Sequence, residues 1–561
     1  MQNKPLSDYP RPQLQRDSYF SLNGYWDYKI KEDGILPETY DGKILVPFSP
    51  ETKASGVERI VKPEEYLFYK LKFKLDDFVV KDMVFLHFLA VDQIADVYLN
   101  GQYLGQHIGG YLPFKFEIKK YLKEENELVV RVKDMTGTKD ANGLSRGKQR
   151  IKRGGIWYTP QSGIYFPVFL ESVSNDYIEN IKLIPDIDNS KIKILVTSSS
   201  DKVKVTLEDE TYTIETNKEA SLKIKKLKLW SPEHPYLYDI FLETKGDKIK
   251  SYFAMRKVSK LMHNGHLVLS LNNRPYFMNG ILDQGYYKNG LYTPENYEDY
   301  IKDIELVKSL GFNTIRKHIK IEMPRWYYEC DKRGLLVWQD FVNGGEDYKF
   351  STIAFPLITG VHHNDHNYKK FARENEVGRK FAIQEFKDTI SYLYNVPSIV
   401  LWTIFNEGWG QFDSKEIYNE MVKLEPTRLF DHASGWHDQG VSDVKSLHVY
   451  FKKVKLPNKK QTKERAIVLS EFGGFLFPIK DHMIEGKRTY KTFTNEQEWL
   501  SNFEKCFIRD VVNNIPKGLS ASIYTQLSDV EDELNGFTTF DREVIKIKPD
   551  KIAEIIQKAH Y

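Results

Sequence analysis

Eight short apolar segments follow one another along the last ~300 residues of this 561-residue chain, and this alternation constrains the fold more than any other feature. Helical patterns lie between several of them, at 293–311 (beginning at Thr293 and Pro294), 323–333 and 414–424. Eight strands separated by helices over such a length are typical of a (β/α)8 barrel, or TIM barrel. The predicted strands lie at 275–285, 312–318, 335–341, 399–407, 428–436, 446–450, 466–473 and 520–527.

The N-terminal part of the chain has a different pattern, with many short strands separated by turns. Runs such as "YLFYKLKFKL" (66–75) and "MVFLHFLAV" (83–91) occur there without a convincing amphipathic helix. This pattern predicts a jelly-roll β-sandwich over residues 1–174. A smaller set of spaced strands predicts an immunoglobulin-like β-sandwich over 175–258. The predicted fold class is therefore multidomain, with two all-β sandwiches followed by a (β/α)8 barrel over 259–561.

The composition argues against several classes of partner. The chain has 81 Lys and Arg against 78 Asp and Glu, so its net charge of +3 does not favour a nucleic-acid partner. Its two cysteines, Cys330 and Cys506, provide neither a disulfide framework nor a cysteine metal cluster. No secretory h-region and no run of ~18 apolar residues occur, so no membrane partner is predicted. We expect a cytoplasmic protein, or a periplasmic or secreted one if a signal peptide was removed, and leave open a homo-oligomer.

Two of the predicted barrel strands end in a glutamate next to glycine. "IVLWTIFNEGWG" (399–410) ends strand four at Glu407, and "AIVLSEFGG" (466–474) carries Glu471 on strand seven. All barrel strands point their carboxyl ends at one mouth, and strands four and seven lie on nearly opposite sides of the ring. Two carboxylates facing each other around a sugar are the minimum set for cleaving a glycosidic bond. A separation of about 5 to 5.5 Å gives retention, whereas about 6.5 to 9.5 Å admits water and gives inversion.

Other polar and aromatic residues also fall at the ends of the predicted strands, where they would line the same mouth. Gln284, Gln339, Asp340, Ser434 and Gln526 belong to this group. The candidate substrate-binding residues are Asp283 on strand one, Arg316 and His318 on strand two, Asn406 on strand four, Trp436 on strand five, His448 and Tyr450 on strand six, and Tyr524 on strand eight.

Several segments resemble glycoside hydrolase family two. "NVPSIVLWTIFNEGWG" (395–410) is similar to the acid/base signature of that family, and "VLSEFGG" (468–474) to its nucleophile segment. "SLNGYWDY" (21–28) and "GGIWYTPQSGIYFPVFLESV" (154–173) resemble its sugar-binding jelly roll, and "LWSPEHPYLYDIFLE" (229–243) resembles its immunoglobulin-like domain. The resemblance spans the whole chain.

This resemblance implies roles for individual residues. Glu407 would be the general acid and base, Glu471 the nucleophile, and Asn406 a donor to the sugar 2-hydroxyl. Arg316 and Tyr450 would orient Glu471 and keep it ionised, which their charge and hydroxyl suit. The implied protein is a retaining exo-β-glycosidase that needs no cofactor and acts on an oligosaccharide or glycoside.

Departures from the family pattern bear on the sugar. The glucuronidase branch has an Asn-x-Lys after strand eight, whereas "NGFTTFDRE" (535–543) has no Lys beside Asn535, and Arg542 and Lys517 are the nearest basic residues. We therefore expect a neutral sugar, first a β-galactoside, with β-glucuronidase or β-mannosidase activity as the alternative. The large galactosidases add a C-terminal β domain and a magnesium site, whereas this chain ends with the barrel, and no metal site is predicted.

Three further interpretations compete with the glycosidase. "VHHNDHNY" (361–368) contains His362, His363, Asp365 and His366, but it lacks the Glu of an H-E-x-x-H motif, so we expect a polar loop near the cleft. No G-x-S-x-G nucleophile elbow occurs, which disfavours a serine hydrolase. A catalytically inactive carbohydrate-binding protein is the alternative from another class.

Overall fold

The computed structural model of the protein describes residues 4–138, 143–450, 452–484 and 491–561. Its N-terminal domain is a jelly-roll sandwich of antiparallel strands. One sheet has the order β1–β12–β5–β9, a second has the order β3–β2–β4–β10–β7–β8, and β11 pairs with β6. The strands are β1 Tyr19–Ser21, β2 Gly24–Lys31, β3 Gly42–Val46, β4 Tyr66–Phe73, β5 Met83–Phe88, β6 Val91–Asp92, β7 Ile94–Leu99, β8 Gln102–Ile108, β9 Phe114–Glu117, β10 Asn126–Lys133, β11 Gly163–Ile164 and β12 Val168–Val173.

The second domain is an immunoglobulin-like sandwich of two antiparallel sheets, ordered β13–β14–β17 and β16–β15–β18–β19. Alternate residues of β14 are buried, as expected for a strand with one face on a core. This domain contacts the barrel through Trp230, whose Nε1 donates to the carbonyl of Asp331 at 2.8 Å. The strands are β13 Ile178–Asp186, β14 Lys191–Ser198, β15 Lys202–Leu207, β16 Glu210–Glu215, β17 Ala220–Lys223, β18 Tyr238–Glu243 and β19 Lys248–Phe253.

The C-terminal domain is the predicted barrel. A three-stranded sheet precedes it, formed by β20 Val258–His263, β21 His266–Leu271 and β22 Arg274–Pro275. Eight parallel strands follow in the order β27–β26–β25–β24–β23–β30–β29–β28, so the prediction of a (β/α)8 barrel is confirmed. The barrel strands are β23 Met278–Asp283, β24 Thr314–Lys317, β25 Leu336–Asp340, β26 Ile399–Thr403, β27 Leu429–Asp431, β28 Val444–Val449, β29 Ala466–Gly473 and β30 Leu519–Thr525.

Helices cover the outside of this barrel. The first begins later than predicted: α1 starts at Tyr297, because Asn296 precedes it with its N–H donating to Asp299, and not at Thr293. Pro324 opens the second helix and Gly334 ends it in a left-handed conformation (φ 73°). The helices are α1 Tyr297–Ser309, α2 Pro324–Arg333, α3 Phe350–Ile353, α4 Pro356–Thr359, α5 Glu376–Leu393, α6 Ser414–Leu424, α7 Lys459–Thr462, α8 Glu496–Asp510 and α9 Pro549–Ile556.

The barrel strands separate two layers of apolar side chains. Met278, Leu282 and Ile523 belong to the cluster inside the ring. Ile281 and Tyr524 belong to the cluster outside it, which also contains Tyr158 and Tyr165 of the jelly roll. Along β23 and β30, neighbouring residues therefore alternate between the interior and the helix layer.

The two predicted domain boundaries fall at different kinds of position in the fold. Residue 174 lies between β12 and β13, and residue 258 is the first residue of β20. Among the described residues, we find no helix that combines the length and apolar character needed to cross a bilayer.

Candidate active site

Glu407 lies just beyond β26 with its backbone in the left-handed region (φ 51°), which is uncommon for a residue with a side chain. Its N–H donates to the carbonyl of Ser434 at 2.9 Å, and its own carbonyl accepts from Trp436 Nε1 at 2.9 Å. The side chain meets His448, whose Nδ1 lies 2.9 Å from Glu407 Oε1. These contacts fix the carboxyl group at the mouth of the barrel, and such backbone outliers often mark functional sites.

Glu471 lies on β29, and both of its carboxylate oxygens are bound. Arg316 Nη1 donates to Oε1 at 3.1 Å, and the Tyr450 hydroxyl donates to Oε2 at 2.6 Å. His448 Nε2 lies 3.6 Å from Oε1. The side chain is 6% exposed, so these partners replace water almost completely.

The two carboxyl groups lie close together with His448 between them. One carboxylate oxygen of each glutamate and one ring nitrogen of His448 lie within 4.8 Å of one another. This approach of the nearest oxygens is closer to the carboxyl separation of retaining glycosidases, about 5 to 5.5 Å, than to the 6.5 to 9.5 Å of inverting ones.

The surroundings push the pKa values of the two glutamates in opposite directions. Burial raises the pKa of Glu407, and the charge of Glu471 adds to this rise, while the hydrogen bond with His448 opposes it. Burial would also raise the pKa of Glu471, but His448, Arg316 and Tyr450 outweigh it and hold the pKa at about 2. Glu407 is thus the carboxyl group that more readily keeps a proton, and Glu471 is the carboxylate.

Arg316 connects the third, fourth and seventh strands beneath the two glutamates. Its guanidinium donates to both oxygens of Asp340 at 3.0 Å and to Asn406 Oδ1 at 2.8 Å. With its Oδ1 held in this way, Asn406 leaves Nδ2 buried and without a hydrogen-bond partner among the described residues. His318 Nδ1 lies 2.8 Å from Asp340 Oδ2. Asn406 therefore offers an open donor beside Glu407.

Family models match each of the three domains. "Glycosyl hydrolases family 2, sugar binding domain" matches residues 51–170, "Glycosyl hydrolases family 2" matches 176–256, and "Glycosyl hydrolases family 2, TIM barrel domain" matches 266–538. The chain belongs to glycoside hydrolase family 2. The resemblance inferred from the sequence is confirmed.

Relatives of the chain carry the names of different glycosidases. The chain is similar to a β-galactosidase from Thermoanaerobacter pseudethanolicus, with 25% identity over 77% of this chain and 58% of the relative. It is also similar to a putative β-glucuronidase from Formosa agariphila, with 25% identity over 66% of this chain and 42% of the relative. The chain thus spans 58% and 42% of the length of these two relatives.

Two solved glycosidase structures share the architecture. The β-galacturonidase from Eisenbergiella tayi bound to galacturonate has a TM-score of 0.73 at 18% identity, covering 98% of this chain and 100% of that one. The β-D-glucuronidase from Dictyoglomus thermophilum has a TM-score of 0.75 at 18% identity, covering 98% and 99%. At this identity the likeness shows the fold.

Six of the eight predicted substrate-binding residues lie around the two glutamates: Arg316, His318, Asn406, Trp436, His448 and Tyr450. Asp283 and Tyr524 do not. Asp283 shares the outward face of β23 with Ile281 and is paired with Lys317. Tyr524 shares the outward face of β30 and packs on Phe503 of α8. Neighbouring strand residues point to opposite faces, and this places both side chains away from the two glutamates.

Four residues at the site were not predicted. Thr525, next to Tyr524, lies 3.1 Å from the Tyr450 hydroxyl. Trp409 follows Glu407 by two residues, and its Nε1 is buried without a partner among the described residues. Lys148 comes from the jelly roll and Glu533 from the chain after β30, and they form an ion pair of 3.8 Å. Only contact between domains reveals Lys148.

The histidine-rich segment after β25 is a surface loop that borders the start of α6. Asp365 accepts from the N–H of Ser414 at 3.1 Å. His366 is exposed and lies 3.6 Å from Asp413 and 3.7 Å from Glu416. Glu407 and Glu471 bind other partners, so the loop contributes no contact to either carboxyl group among the described interactions.

Proposed function

We propose that this chain is a retaining exo-β-glycosidase in which Glu471 is the nucleophile and Glu407 is the general acid and base. The observation that supports this proposal best is the approach of the two carboxyl groups within 4.8 Å. Their opposite pKa directions give each a distinct role, since the nucleophile must be ionised and the acid must carry a proton.

In the first step, a Glu471 oxygen attacks the anomeric carbon while Glu407 gives its proton to the glycosidic oxygen. The bond from the anomeric carbon to that oxygen breaks, the aglycone leaves as an alcohol, and the sugar becomes an ester of Glu471. Arg316 and Tyr450 hold Glu471 in place for this attack. The open Nδ2 of Asn406 is placed to donate to a sugar hydroxyl beside the reacting carbon.

In the second step, Glu407 removes a proton from water, and the water oxygen attacks the anomeric carbon and releases Glu471. Ester formation removes the negative charge of Glu471, which is one cause of the raised pKa of Glu407. The pKa of Glu407 therefore falls when it must act as a base. Two inversions at the same carbon return the original β configuration.

For the sugar, we propose a terminal β-linked residue of galacto configuration as the first candidate. The similarity to proteins named β-galactosidase supports this choice, and the putative β-glucuronidase among the relatives keeps the gluco configuration as the alternative. The sequence predicts a neutral sugar.

The roles can be separated with dinitrophenyl β-glycosides, whose leaving group needs no proton. Glu407→Ala should give a burst of phenol followed by a slow steady state, because the glycosyl ester forms but hydrolyses slowly without a base. Azide should accelerate the slow phase and yield a β-glycosyl azide. Glu471→Ala should release no phenol, because no ester can form. Glu329→Gln is the control, since this buried glutamate of α2 pairs with Arg325 and Arg333 away from the site.

Three results would contradict the proposal. A burst of phenol in the Glu471→Ala variant would show that Glu407 is the nucleophile and Glu471 is the general acid and base. An α-configured azide product from Glu407→Ala would indicate inversion. A wild-type protein that binds sugars but releases no phenol from any aryl glycoside would be the inactive carbohydrate-binding protein.

A further inference from the structure

A segment of the jelly roll, residues 145–155, reaches into the mouth of the barrel. Backbone hydrogen bonds place it there: the N–H groups of Arg146 and Gly147 donate to the carbonyl of Asn343 at 2.9 and 3.1 Å. Gly147 has a φ of 63°, and a Cβ at this position would approach the hydroxyls of Tyr111 and Tyr292 to 2.9 and 3.0 Å. The segment therefore needs glycine at 147, and this placement sets the position of Lys148.

Lys148 is buried, with 5% of its surface exposed, but its ammonium group has weak partners. Among the residues that the structure describes, Nζ donates one hydrogen bond, to the Tyr158 hydroxyl at 3.4 Å, and lies 3.8 Å from Glu533 Oε2. An ammonium has three donors, and burying it with incomplete pairing is costly. The group thus retains donor capacity inside the protein.

Two other buried lysines of the barrel show the contrast. Lys317 donates to both Asp283 and Glu322, the latter at 2.8 Å. Lys320 donates to Glu322 at 2.7 Å and to the carbonyls of Gly285 and Tyr292 at 2.6 and 2.8 Å. Lys317 and Lys320 thus donate several short hydrogen bonds to protein oxygens, whereas Lys148 does not.

Lys148 also lies at the wall of the candidate active site. Its Nζ is 5.7 Å from the ring centroid of Trp409, which in turn lies 5.9 Å from the ring of His318. Burial raises the pKa of Glu407 and lowers that of His318; the charge of Lys148 opposes the first shift and adds to the second, so it acts electrostatically on both groups. The Nε1 of Trp409 is a second donor without a partner among the described residues.

We propose that Lys148 binds an anionic group, a carboxylate or a sulfate ester, carried by the sugar between Glu407 and Glu471. This inference rests on the proposed glycosidase function and departs from the neutral sugar predicted from the sequence. That prediction rests on the two basic residues nearest the end of the barrel, Arg542 and Lys517. Arg542 pairs with Asp303 at 3.2 Å, and Lys517 lies before the amino end of β30, so neither supplies the cation. In the structure, the cation at the site is Lys148, which belongs to the jelly roll.

The arrangement favours an anion over a neutral hydroxyl. The protein has already removed Lys148 from water, so an arriving anion gains a strong charge-assisted contact without a further cost of burying the ammonium. Glu533 competes weakly for Lys148, because its Oε2 lies 3.8 Å from Nζ and already accepts a hydrogen bond from the Tyr158 hydroxyl. A neutral sugar would leave the ammonium incompletely paired.

The test compares p-nitrophenyl β-galactoside, β-galacturonide and β-galactoside 6-sulfate, with the glucoside and glucuronide as a second pair. We expect the wild-type kcat/KM for the better acidic sugar to exceed that of its neutral counterpart by at least about 10-fold. Lys148→Met should lower kcat/KM for that acidic glycoside by at least about 30-fold. It should change kcat/KM for the neutral glycosides much less. Lys148→Arg should restore part of the preference, because it keeps the positive charge.

Lys152→Met is the matched control, since Lys152 belongs to the same segment but is exposed. It should leave the ratio of acidic to neutral substrates unchanged. The acidic substrate whose kcat/KM falls most in Lys148→Met identifies the anion as a carboxylate or a sulfate. A wild-type preference for neutral sugars would overturn the proposal. An equal loss on all substrates would also overturn it, because Lys148 would then act on Glu407 alone.

Failure of the glycosidase proposal can be distinguished from failure of this one. If no aryl glycoside is hydrolysed, the proposed function fails, and calorimetric binding of free galacturonate, glucuronate, galactose 6-sulfate and galactose then tests Lys148. Tighter binding of an acidic sugar that Lys148→Met abolishes and Lys148→Arg retains would support the anion site. Equal binding of acidic and neutral sugars, or none, would contradict it.

Discussion

The guanidinium of Arg316 donates to Glu471 Oε1 at 3.1 Å, and the same group is held by both oxygens of Asp340. This relationship joins the second, third and seventh barrel strands through one buried cation. It gives Glu471 a fixed orientation and contributes to its pKa of about 2. The carboxylate is therefore ionised across the whole pH range in which a glycosidase operates.

The alkaline limb of the pH profile should depend on the leaving group. As pH rises past the raised pKa of Glu407, the acid loses its proton, and kcat/KM for a phenyl β-glycoside should fall. A dinitrophenyl glycoside needs no proton, so its kcat/KM should remain level over the same range. The measurement is kcat/KM against pH for both substrates. A shared alkaline limb would contradict the role of Glu407 as the acid.

His448 should set both limbs of the profile. It lowers the pKa of Glu407 through a 2.9 Å hydrogen bond and also lowers that of Glu471. Its removal in His448→Phe should raise both pKa values and displace the acidic and alkaline limbs to higher pH. The pH dependence of kcat/KM for phenyl glycosides in the variant tests this. Limbs that move in opposite directions would contradict the described electrostatics.

Two buried tyrosines should respond differently to the loss of a hydroxyl. Tyr450→Phe removes a 2.6 Å hydrogen bond to the Glu471 carboxylate and should lower kcat/KM by about 10- to 100-fold. Tyr524→Phe removes a hydroxyl that accepts from the N–H of Phe475 at 3.4 Å outside the ring, and kcat/KM should change little. Steady-state kcat/KM values of the two variants test this prediction. A comparable loss in both variants would place Tyr524 at the site after all.

Arg316→Met should destabilise the protein in a pH-dependent way. Removing the cation leaves Asp340 and Glu471 buried without their charge partner, which costs about 3–5 kcal/mol at neutral pH. In the wild type, the folded pKa of Glu471 is about 2, below its usual 4.5, so this carboxylate contributes stability above pH 4.5 that is lost as pH falls toward 2. The difference between wild type and variant should therefore shrink on acidification.

Calorimetric unfolding of the barrel at several pH values between 7 and about 3 measures this difference. Arg542→Met is the control, because Arg542 is also buried and paired, with Asp303, but does not contact Glu471. Arg542→Met should also leave the acidic limb of the pH profile of kcat/KM unchanged, because this limb depends on the ionisation of Glu471. A destabilisation by Arg316→Met that stays constant with pH would contradict the coupling to Glu471.

The sequence was sufficient to predict the barrel and to select two strand-end glutamates that the structure brings close together. The apolar runs have lengths and spacings that few other folds accommodate, and a carboxylate at the end of a buried strand is conspicuous. The direction in which a side chain points was harder to predict. Strands buried on both faces lack polar alternation, so Asp283 and Tyr524 could not be distinguished from inward-facing neighbours.

Contacts between domains could not be predicted at all. Lys148 lies more than 250 residues before Glu407 in the chain and on a different domain, and its position depends on how the jelly roll docks on the barrel. Nothing in the basic stretch around it distinguishes Lys148 from Lys152, which is exposed. Burial and partner geometry, which only the structure provides, make that distinction.

The covalent intermediate tests the central claim most directly. A dinitrophenyl 2-deoxy-2-fluoro β-glycoside of the preferred sugar should inactivate the wild-type protein, because the fluorine slows hydrolysis of the glycosyl ester. Mass spectrometry should find one fluorosugar per chain, on the tryptic peptide 466–480 that contains Glu471. The account predicts this label on Glu471. A label on Glu407, or continued turnover of the parent glycoside without any label, would contradict it.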